Sequence, residues 1–189
     1  LSGIGLATAL RLARGGYNVF ATVKEESEIP KAKEAAEAAS FDIEAAHGDF
    51  HVTVMDVLSP ESVNRCARHI AEVLEGEDDK PLVAVVNNAG FCMISPMEHT
   101  RDEDVRRMFE LNFFAYITVI RAFLPIIKLN KGRFINIGSF ASYANVPMWV
   151  SYCAAKAAVE NMTRAWRFEL MPFGVGTFVT PIWSSWIPS

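Results

Sequence analysis

Apolar positions along the chain fall into short continuous runs separated by stretches of helical period, and the two alternate from end to end without repeats or low-complexity linkers. Leu6, Ala9, Leu10 and Ala13 recur at three- and four-residue steps, predicting a first helix that Gly15-Gly16 stops. Val19 to Val23 reads as a strand. Pro30 to Ser40 is an Ala/Glu/Lys helix with little apolar periodicity, as expected of a solvated outer helix. His51 to Val57 is strand-like, with Val52, Val54 and Val57 as its apolar content. Ser59-Pro60-Glu61 has the form of a helix start, and the helix it opens buries Val63, Ala67, Ile70 and Leu74 before an acidic loop at Gly76 to Lys80. Leu82 to Val86 is a continuous apolar run, the pattern of a parallel strand covered on both faces. Thr100-Arg101-Asp102-Glu103 reads as a capping box, and the helix beyond it is expected to end near Pro125. Phe134 to Ile137 is a further strand, Tyr152 to Leu170 a helix, and Val175 to Val179 a last strand. This alternation predicts an α/β fold, a doubly wound parallel sheet in one domain.

Composition narrows the function. Of 189 residues, 51% are hydrophobic and 21% charged, which suits one sizeable globular core. The net charge of -4, without a basic stripe, excludes nucleic acid as an expected partner. Cys66, Cys92 and Cys153 are odd in number and lack a CxxC pair, which points to reduced thiols and an intracellular, cytoplasmic setting. Phe113 to Ile127 is too short to span a membrane and carries Arg121, so a buried helix is expected there. His47 and His51 have the spacing of a helical metal pair, but Gly48 between them and the strand that follows argue against it, and no metal is expected.

The two ends look cut. Leu1-Ser2-Gly3-Ile4-Gly5 enters a helix with no strand before it, although a glycine-rich turn of this kind normally follows the central strand of such a sheet. Bare backbone N–H groups there suit a pyrophosphate. Beyond Val179 no further helix or strand is expected. A piece lacking its first strand and C-terminal segment is expected not to turn over substrate by itself, so the chemistry belongs to a longer parent chain, whose missing ends leave room for a membrane anchor.

Tyr152 and Lys156 lie one helical turn apart on one face, and a nearby ammonium favours the phenolate that an alcohol-oxidising base requires. Ser139, at the C-terminal end of a strand, is placed to hydrogen-bond a substrate oxygen. Asn112 lies on the inward stripe Val105, Met108, Phe109, Asn112, Tyr116, where a buried amide needs partners.

With these residues the chain resembles the short-chain dehydrogenase/reductase family over essentially its whole length. Leu1 to Gly5 resembles the second half of that family's TGxxxGxG turn. Asp56-Val57 resembles its adenine-binding Asp, and Asn87-Asn88-Ala89-Gly90 its NNAG motif. Asn112, Ser139, Tyr152 and Lys156 fall on its catalytic tetrad, with Ser139 thirteen residues before Tyr152. The resemblance implies a Rossmann-type, NAD(P)-binding catalytic domain over 1–189 in which Tyr152 moves the proton. It implies that Lys156 also holds the nicotinamide ribose, that Asn112 holds a water in a relay to Lys156, and that the protein is a homodimer or homotetramer.

Cofactor contacts are expected from Ser2, Gly3, Ile4, Gly5, Lys24, Asp56, Val57, Asn88, Ala89, Gly90, Tyr152, Lys156 and Pro181. Lys24 ends the second expected strand of the family fold and could pair with a 2′-phosphate, favouring NADP over NAD, with Glu25 and Glu26 opposing it. The family's Pro-Gly after the last strand is replaced by Pro181-Ile182, a departure at a close-approach position. Met148 and Trp149 join Ser139 and Tyr152 as expected substrate contacts in an apolar segment, with Met93, Ile94 and Met97 able to add to it. This favours a hydrophobic alcohol or ketone, as in the similar retinol, hydroxysteroid and hydroxybutyrate dehydrogenases. Two alternatives are a non-catalytic cofactor-binding regulator, which has little need of the whole tetrad, and a nucleotide-sugar epimerase, against which NNAG counts.

Overall fold

The computed structural model describes residues 2–39, 48–75 and 80–181. The chain divides into two compact units, over 1–72 and 73–189. Each is built of parallel strands with flanking helices, the α/β class expected.

The first unit opens with α1 (Gly3–Arg14), which buries Ala9 and Ala13 and ends at Gly15. Gly16 follows at φ 88, a left-handed turn open to glycine. Strand β1 (Val19–Val23) pairs in parallel with β2 (Phe50–Val54), Val19 opposite Phe50 and Val23 opposite Val54. Helix α1 packs on both strands, and α2 (Ile29–Ala39) on β2. His51 stacks on Phe20 at 5.1 Å between ring centroids, so its ring belongs to the strand surface. His47 lies outside the described residues. Helix α3 (Pro60–Glu75) buries Val63, Cys66, Ala67 and Ile70, and the acidic stretch 76–79 beyond it is also outside them.

In the second unit β3 (Ala84–Asn87), β4 (Arg133–Ile137) and β5 (Gly176–Thr180) form a parallel sheet in that order. The register sets Asn87 against Asn136 and Ile137 against Thr180. Helix α6 (Val150–Leu170) packs on β5, and α5 (Ala115–Leu129) on β3 and β4.

The helix expected from the Thr100 capping box to Pro125 differs at both ends. Its N-cap is Arg101, which makes no side-chain cap bond, while the Thr100 hydroxyl donates to the Pro96 carbonyl at 2.9 Å. The first turn is filled by Asp102, Glu103 and Asp104, which the helix dipole favours, and Arg101 bonds Asp104 at 2.8 Å. The helix then runs as α4 (Asp102–Phe109), a π turn (Glu110–Phe114) and α5. Pro125 sits inside α5. Burial of Phe123 and Ile127 on either side outweighs the hydrogen bond that the proline removes. The continuous stretch Asp102–Leu129 is thus 28 residues, long and apolar enough to cross a membrane by length and composition. Its apolar set Ala115, Tyr116, Val119, Ile120, Phe123 and Ile127 is buried within the fold, whereas Phe114 and Leu129 are exposed.

Candidate active site

The end of β3 is tied to α6 by a chain of buried polar groups. Asn87 Nδ2 donates to Asn136 Oδ1 at 2.8 Å, Asn136 Nδ2 to Thr163 Oγ1 at 2.9 Å, and Thr163 Oγ1 to the Val159 carbonyl at 2.7 Å. Thr177 on β5 reaches the Thr163 carbonyl at 3.2 Å. Parallel register puts the two asparagines on one face, and α6 supplies the remaining partner, so each buried polar side chain is satisfied. Asn136 and Thr163 are absent from the expected set. The available signal is a polar residue inside the otherwise apolar run Phe134 to Ile137.

Beyond β3, Asn88 and Ala89 are half-buried and Gly90 is exposed. Asn112, in the π turn, is fully buried and donates from Nδ2 to the carbonyls of Phe91 and Met108, each at 3.0 Å. Its Oδ1 is buried with no hydrogen-bond partner among the described residues and lies against Gly90, where a Cβ would come within 2.5 Å of it. Gly90 therefore serves close approach. A π turn adds a residue to the helical period, and such turns gather at functional positions. Asn112 within it and, one turn later, Tyr116 both lie buried.

Ser139 follows β4 and is buried; its Oγ accepts from the Ala141 N–H at 3.1 Å. Tyr152 is half-buried near the start of α6, with the Trp149 ring edge-on at 5.8 Å. Burial pushes the Tyr152 phenol above its usual range, and a hydrogen bond with Ser139 works the other way. Lys156 is buried; its Nζ donates to the Ile137 carbonyl at 2.7 Å and lies 5.9 Å from the Tyr152 ring centroid. Burial lowers its pKa to about 8. The expected lowering of the Tyr152 pKa by Lys156 is absent in this arrangement: the ammonium is directed to a carbonyl, and desolvation dominates at the phenol. Asn112, Ser139, Tyr152 and Lys156 all lie in the second unit.

Met148 holds φ 67, a strained value for a residue with a side chain, and its carbonyl accepts from the Ser95 N–H at 3.0 Å. That bond joins the segment bearing Ile94 and Met97 to the one bearing Met148 and Trp149; Ile94, Met97 and Met148 are exposed.

In the first unit, Ser2, Gly3 and Ile4 are exposed and Gly5 half-buried at the start of α1. Gly3 has φ 55, Ser2 makes no side-chain cap bond, and the first turn holds no acid. Those unclaimed N–H groups fit an anion, so the chain's own residues suit a dinucleotide phosphate. Asp56 accepts from the Leu58 N–H at 3.0 Å and donates its own N–H to Ser62 Oγ at 3.0 Å, so one carboxylate oxygen already closes a turn; Val57 is half-buried in it. Lys24 is exposed and lies 3.9 Å from Glu25. Pro181 is exposed after β5, and Ile182, Leu1 and Ser40 lie outside the described residues.

The family model described as short chain dehydrogenase matches residues 1–181. The chain is 30% identical to an uncharacterized oxidoreductase, YusZ, of Bacillus subtilis, over 97% of its length and 64% of that protein's. It is 33% identical to rat estradiol 17-beta-dehydrogenase 2 over 92% of its length, which is 43% of the rat protein. An NADPH-bound short chain oxidoreductase from Pseudomonas aeruginosa superposes with a TM-score of 0.81 at 29% identity, covering 94% of this chain and 66% of that one. The chain thus spans less than two thirds of these curated relatives.

Proposed function

Because the chain belongs to the short-chain dehydrogenase family, a family of NAD(P)-dependent oxidoreductases, we propose that it carries the catalytic residues of an enzyme interconverting a hydrophobic alcohol and its carbonyl compound, with Tyr152 as general acid and base. The observation that carries this reading is the half-buried Tyr152 phenol on α6, backed one turn on by the buried Lys156, with the buried Ser139 lowering the phenol's pKa against the effect of burial. When bound, the nicotinamide supplies or accepts the hydride. Ser139 holds the substrate oxygen beside Tyr152, whose hydroxyl gives the proton in reduction and takes it in oxidation. The Lys156 ammonium, held at the Ile137 carbonyl, stabilises by its charge the phenolate left behind and has an N–H left for the phenol and the ribose. Asn112 anchors the π turn, and its Oδ1, buried against Gly90 with no partner among the described residues, is the acceptor proposed for a relay water.

The exposed Ile94, Met97 and Met148, with Trp149 beside Tyr152, support an apolar substrate. NADP is favoured over NAD through Lys24, and the NADPH-bound relative is consistent with it. The exposed N-terminus of α1 takes the pyrophosphate, Asp56-Val57 the adenine, Asn88 to Gly90 the adenine ribose, and Pro181 the nicotinamide side. Assembly as a homodimer or homotetramer through α5 and α6 belongs to the same reading, supported by exposed Phe114, at the end of the π turn before α5, and Phe168 on α6. Three unpaired cysteines support an intracellular, cytoplasmic setting.

The test is to follow nicotinamide absorbance in the natural full-length protein with NADPH or NADH and a set of apolar ketones. Turnover with a preference for NADPH is expected. Tight cofactor binding with no turnover on any alcohol or ketone would favour the regulatory alternative.

A further inference from the structure

Lys156 has a buried partner outside the four-residue set. Tyr116, on α5, is only 1% exposed, and its hydroxyl accepts from Lys156 Nζ at 3.4 Å. The same hydroxyl donates to the Ile137 carbonyl at 3.4 Å, the carbonyl that Lys156 Nζ reaches at 2.7 Å. Ammonium, phenol and carbonyl therefore close a ring of three hydrogen bonds at the end of β4. The ammonium also lies 5.3 Å from the Tyr116 ring centroid and 5.9 Å from that of Tyr152, between one aromatic ring from each helix.

The arrangement is costly. An aliphatic side chain would fill the same core without burying a hydroxyl, and that burial pushes the Tyr116 phenol well above its usual range. The return is a second acceptor for a buried cation whose other acceptor among the described residues is a single carbonyl. We infer that Tyr116 is a positioning residue for the proposed reaction, whose hydroxyl keeps Lys156 charged and leaves its third N–H for the side facing Tyr152. The inference rests on the reading of Tyr152 as the acid and base.

The groups that matter for pH come from three places. Tyr116 on α5 and Tyr152 on α6 face the ammonium, and Cys92, after β3, and Cys153, on α6, act on Tyr152. No carboxylate contributes to the Lys156 shift, whose cause is burial.

Tyr116→Phe in the natural full-length protein removes the hydroxyl and keeps the shape. Isotope-edited NMR of the lysine ε-methylenes, with Lys156 assigned by its loss in Lys156→Gln, reads the ammonium without any turnover. The apparent Lys156 pKa is expected to fall by about half a unit or more, as loss of a charge-assisted acceptor requires. The basic limb of kcat/KM for NADPH-linked reduction of acetophenone is expected to move to lower pH by the same amount. Should the variant melt too early to titrate, fluorotyrosine at position 116 keeps the hydroxyl but weakens it as an acceptor, and shifts Lys156 in the same direction by less. An unchanged Lys156 titration overturns the inference, even where Tyr152→Phe is inactive and the functional reading stands. A shifted Lys156 in a protein that reduces no ketone upholds the contact and removes the reading on which its role rests.

Discussion

Lys24, just past β1 in the first unit, and Lys156, on α6 in the second, are both assigned to the cofactor in the proposed reading, and the protein treats them in opposite ways. Lys24 is exposed, its nearest carboxylate is the equally exposed Glu25 at 3.9 Å, and the local backbone is organised by Glu28, which accepts from the Lys24 and Glu25 N–H groups at 2.8 and 3.2 Å. These bonds hold the Glu28 carboxyl below its usual range. Lys156 is 3% exposed, fixed by a carbonyl and a phenol, and destabilised as a cation by burial. The same contrast holds more widely. The glycine turn of α1 presents bare N–H groups to solvent, whereas Asn112, Ser139 and the Asn87–Asn136–Thr163 chain are buried and bonded. Groups that meet a phosphate need only accessible donors; groups that time a proton need a fixed, desolvated environment.

The sharpest way to break this contrast is to remove the costly cation. Lys156→Met is expected to lower turnover by about 10²- to 10³-fold. It is also expected to make the fold more stable near neutral pH by on the order of 1–3 kcal/mol, because a charge held at a burial penalty is gone. The sign follows from the depressed pKa. Between about 8 and the ordinary lysine value of 10.5, the unfolded chain holds a proton that the folded one has released. Wild-type stability therefore rises with pH through that window, and the penalty is fully present below it. Thermal melts at neutral and alkaline pH should show the advantage of the variant shrinking as pH rises. A variant less stable than wild type across the whole range would contradict the burial argument.

A smaller effect is expected at Gly90. Alanine there puts a Cβ within 2.5 Å of Asn112 Oδ1, and the crowding should cost about 1–3 kcal/mol in the denaturant midpoint. An unshifted midpoint would mean that the π turn gives way freely. The smallest effect belongs to the exposed lysine. Lys24→Glu should reduce the preference for NADPH over NADH by only about 2- to 5-fold, the scale of a solvent-exposed ion pair, with NADH turnover unchanged. A collapse of NADPH use would mean that Lys24 is more tightly held in the complex than its exposure implies.

Much of the second unit was readable from residue order. The apolar run before Asn87, the strand ahead of Ser139 and the four-residue step from Tyr152 to Lys156 depend on local period, and local period survives folding. Other features depend on three-dimensional packing. Pro125 reads as a helix end, yet buried Phe123 and Ile127 carry the helix through it. Tyr116 is visible as part of an inward stripe, but its hydrogen bonds follow from where β4 ends and from where α6 sets Lys156. Lys156 beside Tyr152 suggests an acidified phenol, and only the geometry shows the ammonium turned to Ile137 while burial dominates at Tyr152. Asn136 and Thr163 meet across 27 positions of sequence, beyond the reach of any local pattern.

The central claim is that the proton passes through Tyr152 while the rest of the site binds and orients. Its most direct test measures Tyr152→Phe twice, by fluorescence titration with NADPH and by single-turnover reduction of an apolar ketone in the natural full-length protein. Unchanged NADPH affinity with turnover reduced by about 10³-fold or more is the expected result. Turnover at the wild-type rate, with the same affinity, would contradict it.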